Sequence, residues 1–192
     1  LFRSADLIVL GPHAHPTLLH PLPGSVSLSV LTHAPCSVRI MRQPLKKRDD
    51  GATRLLVGID GSPSGQAVLK QMRSRAWPSG THVFVIMVVD TRLIPVVIPE
   101  IPIGPTCEAW AQEIAAKAVE ELQNGGLTAS EMIEHGDPRS VLCKAAEDTA
   151  ADCVFIGSLG LSHLPWVHLG SIATAVSVRA HCSVEVIRPV VP

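Results

Sequence analysis

Apolar residues in this chain come in short dense runs, separated by stretches with helical spacing, and that alternation predicts the fold. Leu7-Ile8-Val9-Leu10, Leu55-Leu56-Val57-Gly58-Ile59, residues 82–89, Cys153-Val154-Phe155-Ile156 and residues 183–187 are such runs. Nearly unbroken by polar residues and bounded by Asp or Gly, they read as strands buried on both faces of a parallel sheet. Residues 128–134 make a weaker, partly polar strand suited to a sheet edge.

Between these runs the apolar period lengthens to that of a helix. Gly61-Ser62-Pro63 opens one, with Ser62 as cap, Pro63 at the first helical position and Ala67, Val68, Leu69 and Met72 on its apolar side. Residues 107–123 form a second, presenting Ile114, Ala115, Ala118, Val119 and Leu122 and stopped by Gly125-Gly126. Asp137-Pro138 opens a third, carrying Val141, Leu142, Ala145 and Ala146. Gly170-Ser171 starts the last, with Ser171 expected as its N-cap. Strand and helix thus alternate from 54 to 188, which predicts an α/β fold with right-handed crossovers and a doubly wound parallel sheet.

The chain also repeats itself. Residues 5–42 lie over 151–188 without a gap, matching Asp6 to Asp152, Gly11 to Gly157, Gly24 to Gly170, Ser25 to Ser171, Cys36 to Cys182 and Arg42 to Arg188. Residues 1–44 therefore read as the C-terminal half of a first domain, 45–53 as a linker and 54–190 as a complete second domain. In the linker Asp49 and Asp50 offset Lys46-Lys47-Arg48. The chain begins at Leu1 and enters a strand almost at once, so it reads as part of a longer protein with on the order of 90 further residues upstream.

Composition narrows the function. Sixteen basic and 17 acidic side chains give a net charge of −1, with no Tyr, three Phe and three Trp, which argues against a nucleic-acid surface. No apolar run reaches the roughly 18 residues of a membrane helix. The five cysteines are scattered without a CxxC pair and read as mostly buried free thiols of a cytoplasmic protein. Four prolines in 91–106 exclude a regular element there and predict an irregular apolar loop.

The candidate chemistry lies in residues 157–173, a strand end, a glycine-punctuated loop and a helix start spaced G-2x-G-9x-G-S. Gly157 and Gly160 are expected to allow turns closed to other residues and close approach to the main chain. The first amides of a helix suit a phosphate. Asp60 and Gly157 both end strands, where ligands of doubly wound sheets bind.

VGIDGSPSG (57–65), VVD (88–90), HGDPRSVLCKAAEDTAADCVFIGSLG (135–160) and G-2x-G-9x-G-S followed by CSVEVIRP, in this order, resemble the universal stress protein family over nearly the whole chain. The resemblance implies a five-stranded parallel sheet in the order 3-2-1-4-5, preceded by half of a second copy. It also implies ATP binding where the glycine motif is intact, with a divalent cation such as Mg or Mn on the phosphates. Carried over by position, Asp60 contacts the adenosine end and Val88 gives main-chain contacts to adenine. Gly157, Gly160, Gly170, Ser171 and Ile172 hold phosphates and ribose. Family dimers pair through the last strand, which implies self-association of 37–42 with 183–188, within the chain or as a homodimer.

Leu159, Leu161 and Pro165 depart from a polar, pliant loop. In the first copy Ala14 replaces the second glycine, so no nucleotide is expected there. His13, His15 and His20 lack a partner pattern and read as solvated loop histidines rather than metal ligands. The competing reading is a scaffold that binds no nucleotide and acts through its last strand and the proline-rich loop. Catalysis is not expected beyond slow ATP hydrolysis, because the glycine loop carries no lysine or arginine. A dyad of His181 with Cys153 or Cys182 would need a thiolate, which is costly for Cys153 inside an apolar strand.

Overall fold

The elements in chain order are β1 (Leu7–Leu10), α1 (Ser25–His33), β2 (Ser37–Ile40), β3 (Arg54–Ile59), α2 (Pro63–Ser74), β4 (His82–Val89), α3 (Pro105–Asn124), β5 (Thr128–His135), α4 (Pro138–Asp148), β6 (Cys153–Gly157), α5 (Ser171–Arg179) and β7 (Ser183–Ile187). The structure is a computed structural model that describes residues 5–11, 24–42, 51–90, 105–161 and 168–189. His13, Ala14, His15, His20, residues 43–50, the proline-rich stretch 91–104 and Pro165 lie outside the described residues.

Seven strands form one sheet in the order β1-β2-β7-β6-β3-β4-β5. Within 54–187 this is the expected 3-2-1-4-5 order, all parallel. β1 and β2 extend the sheet beyond β7: they run parallel to each other, and β2 meets β7 antiparallel. The fold is therefore α/β with a mostly parallel sheet.

The central strands are covered on both sides, as their unbroken apolar runs require. One face packs Leu55, Val57, Val83, Val85 and Phe155 against α2 and α3 through Val68, Leu69, Met72, Ala111, Ala118 and Leu122. The other packs Leu56, Ile86, Val154, Ile156 and Val184 against Leu142, Ala145 and Ala146 of α4 and Ala173 and Val176 of α5. β5 is the polar edge strand that its sequence predicts, with Glu134 and His135 exposed.

Local chemistry sets the helix starts. Ser62 caps α2, its Oγ accepting from the Gly65 N–H at 3.2 Å, with Pro63 behind it. Asp137 caps α4, accepting from the Arg139 N–H. α3 begins at Pro105, two residues before the sequence-based start.

Phe155 is fully buried at the sheet centre, meeting Trp77 edge-on at 5.7 Å. Phe155→Ala is expected to lower unfolding free energy by about 3–5 kcal/mol in a denaturant titration, since the rigid sheet cannot close the cavity.

The cysteines are unpaired, with Cys107, Cys153 and Cys182 buried. Burial raises the Cys153 thiol strongly, and it pushes the Cys182 thiol up to about 12 from its ordinary value. In the unfolded chain these thiols ionise near the usual value, so their contribution to stability is unchanged below about pH 9 and falls as pH rises toward 12. A maleimide-type reagent at pH 8 is expected to spare Cys153 and Cys182 in the folded chain and to label both after denaturation, as read by peptide mass spectrometry.

Candidate functional site

The winding of the sheet reverses at β3, whose chain leaves toward β4 while its other neighbour is β6. The loops leaving the carboxyl ends of β3 and β6 therefore stand side by side. Gly58 is in register with Ile156, which sets Asp60 beside the loop that begins at Gly157.

Asp60 joins the two loops. Its Oδ1 accepts the Ser62 N–H at 3.0 Å, which shapes the entry into α2. Its Oδ2 accepts the Leu161 N–H at 3.1 Å, across 101 residues of sequence. Between these contacts Gly61 sits at φ +80°, a left-handed turn that a side chain would strain. A carboxylate has about four acceptor positions, so Asp60 retains capacity for another donor.

The motif glycines do a different job from the one their spacing suggests. Neither Gly157 nor Gly160 has a positive φ; they are there for close approach. A Cβ on Gly157 would lie 2.6 Å from the Ser64 Cβ and 3.0 Å from the Ser64 carbonyl carbon, so this glycine lets the first turn of α2 rest on the end of β6. A Cβ on Gly160 would lie 2.9 Å from Asp60 Oδ2, directly in the clasp. Gly170 donates its N–H to the Ser158 carbonyl at 2.7 Å, which draws the start of α5 back under the loop.

The start of α5 corrects the sequence expectation in one respect. Gly170 is the N-cap and Ser171 is the first helical residue; no side chain caps this helix. Ser171 cannot serve as cap because the tight Gly170–Ser158 bond places the helix entry one residue earlier. Among the described residues, no side chain caps the first-turn amides of α5.

All seven residues singled out from the sequence, Asp60, Val88, Gly157, Gly160, Gly170, Ser171 and Ile172, line one cleft. Ile86 from β4, Ile156 from β6, and Pro138 and Leu142 from α4 add an apolar wall. None of these four was singled out as a site residue from the sequence. Pro138 was legible only as a helix start, and its place here depends on where the β5–α4 connection returns to the sheet. Asp60 is the one charged side chain among the described lining residues. No group of three or more His, Cys, Asp or Glu stands together among the described residues, so none of them forms a metal cluster. No helix among them is long and apolar enough to cross a membrane.

Comparison with known proteins agrees with this architecture. A universal stress protein of Mycolicibacterium smegmatis is 28% identical over 193 residues, covering 97% of this chain and 63% of the relative. The chain thus spans less than two thirds of that protein's length. A crystal structure of a universal stress protein from Archaeoglobus fulgidus superposes with a TM-score of 0.61 at 21% identity, over 95% of this chain and 60% of that one. A universal stress protein solved in complex with cAMP superposes with a TM-score of 0.51 at 22% identity, over 71% of this chain and 96% of that one. At these identities the structures speak for the fold alone. The pattern of the Universal stress protein family itself matches residues 3–42 and 51–188, and with most of the chain so covered, this protein belongs to that family.

Proposed function

We propose that the cleft between β3 and β6 binds ATP and that the chain works as a nucleotide-responsive regulatory protein rather than a catalyst. The observation that carries this reading is the start of α5, whose first-turn amides no described side chain caps and which lines a cleft with an apolar wall. Main-chain donors and the positive end of a helix dipole suit a phosphate chain. Val88, Ile86, Ile156 and Leu142 offer the flat apolar surface that a purine needs. Asp60, with acceptor capacity left, suits a ribose hydroxyl, while Gly160, Gly170, Ser171 and Ile172 take the phosphates. Gly157 acts at one remove, by letting α2 and β6 close the floor. That a family member was solved with cAMP favours a nucleotide ligand.

A divalent cation, Mg or Mn, would arrive with the phosphates, whose oxygens supply its first ligands. No lysine or arginine lines the described part of the cleft, so charge developing in phosphoryl transfer has no cationic partner there and turnover is slow. Five free thiols suit a reducing compartment, which favours the cytoplasm.

Calorimetric titration of the chain with ATP and Mg is expected to show saturable binding; a folded chain that binds nothing at millimolar ATP would favour the scaffold reading instead. Gly160→Val is expected to weaken ATP at least tenfold, about 1.4 kcal/mol, by blocking the phosphate approach and parting Asp60 from the Leu161 amide. Gly157→Ala separates the two glycine roles. It should lower the melting temperature through its clash with Ser64, with weaker nucleotide binding only as a consequence.

A further inference from the structure

Glu185, at the centre of β7, is a charged side chain fully shielded from solvent that has no part in the cleft. Its Oε2 accepts from Arg39 Nε at 2.6 Å and from Arg75 Nη1 at 3.0 Å, and its Oε1 accepts from Arg75 Nη2 at 2.5 Å. Both guanidinium groups stand over the Phe155 ring, 5.6 and 5.9 Å from its centroid.

The setting of this pair is nearly two-fold symmetric. Arg39 and Glu185 are 146 residues apart, the offset at which the chain repeats, and they face each other directly in the β2–β7 ladder. On either side Val38 faces Val186 and Ile40 faces Val184, so exchanging the strands maps the ladder onto itself. The flanking contacts obey the same exchange. Arg42 donates to the Ser177 and Val178 carbonyls of α5, and Arg188 donates to the Leu31 and Thr32 carbonyls of α1. The Arg42 N–H donates to Ser183 Oγ, and the Arg188 N–H to Ser37 Oγ.

Every one of these flanking contacts would form equally well if β7 paired with the β7 of a second chain. The axis position is the exception. There, homotypic pairing would put Glu185 against Glu185 in the sheet interior, and pairing β2 with β2 would put Arg39 against Arg39. Two like charges held together away from water oppose association, whereas Arg against Glu supports it.

We propose that the Arg39–Glu185 contact selects the partner of the β7 edge: it admits a strand carrying a cation at the Arg39 position and rejects a second β7. The interface would otherwise be open to homodimerisation; with this pair it is committed to the 37–40 strand.

The test uses two full-length variants, each mismatched only on the axis. Arg39→Glu keeps the Arg75–Glu185 contact and sets Glu against Glu. The double variant Arg75→Glu with Glu185→Arg keeps an opposite-charge contact between 75 and 185 and sets Arg against Arg. Each is refolded alone and as an equimolar mixture, then weighed by native mass spectrometry. The mixture is expected to give a heterodimer at least tenfold more abundant than either homodimer, because only the mixture offers opposite charges across chains. Homodimers as abundant as the heterodimer, or a mixture without heterodimer, overturn the proposal. The triple variant Arg39→Glu with Arg75→Glu and Glu185→Arg mirrors every charge and is expected to fold with the oligomeric mass of the native chain. If it cannot fold, the native polarity serves stability rather than partner choice, and the proposal falls.

Discussion

A carboxylate with no access to water holds the N-terminal strands to the rest of this molecule. Glu185 satisfies both oxygens through Arg39 on β2 and Arg75 at the end of α2, so three segments distant in sequence share one buried charge. An unpaired carboxylate in that position would be costly, and removing one partner from such a pair costs about 3–5 kcal/mol. The stacking of both guanidinium groups on Phe155 ties the same contact to the largest fully buried side chain of the core. Sheet continuity from β1 to β5 thus passes through an electrostatic joint rather than through apolar packing alone.

The cleft depends on a second long-range constraint, the reversal of winding at β3. Parallel strands joined by right-handed crossovers place successive helices on one face until the direction of growth changes, and the gap opens at that change. Here the gap would be an open groove were it not for Asp60, which reaches across to the Leu161 amide and shapes the rim. The same carboxylate orders the entry to α2 through the Ser62 amide, so the geometry of both loops follows from one side chain.

In the proposed reading, the cleft would recognise a nucleotide mainly through backbone. Main-chain amides at the start of α5 offer donors whose positions do not depend on rotamers, and glycines keep the approach clear. Specificity then rests on the apolar wall from β4, β6 and α4, which reads shape rather than charge. Under the proposal, such a design would hold a nucleotide rather than transform it.

Sequence alone determined the alternation of strand and helix, the strand order of the main sheet through its family resemblance, and the seven residues that meet at the cleft. Those are local features: apolar period, cap-and-proline pairs such as Ser62-Pro63 and Asp137-Pro138, and glycine spacing. Only the tertiary structure decided what depends on atoms brought together from far apart. It gave Gly157 its task as clearance for Ser64, moved the cap of α5 from Ser171 to Gly170 through the Ser158 carbonyl, added Pro138 and Leu142 to the wall, and set Arg39 against Glu185. The 146-residue offset was visible in the letters, but its consequence was not. A charge on one strand shows its meaning only once the opposite strand, the register and the exclusion of water are known.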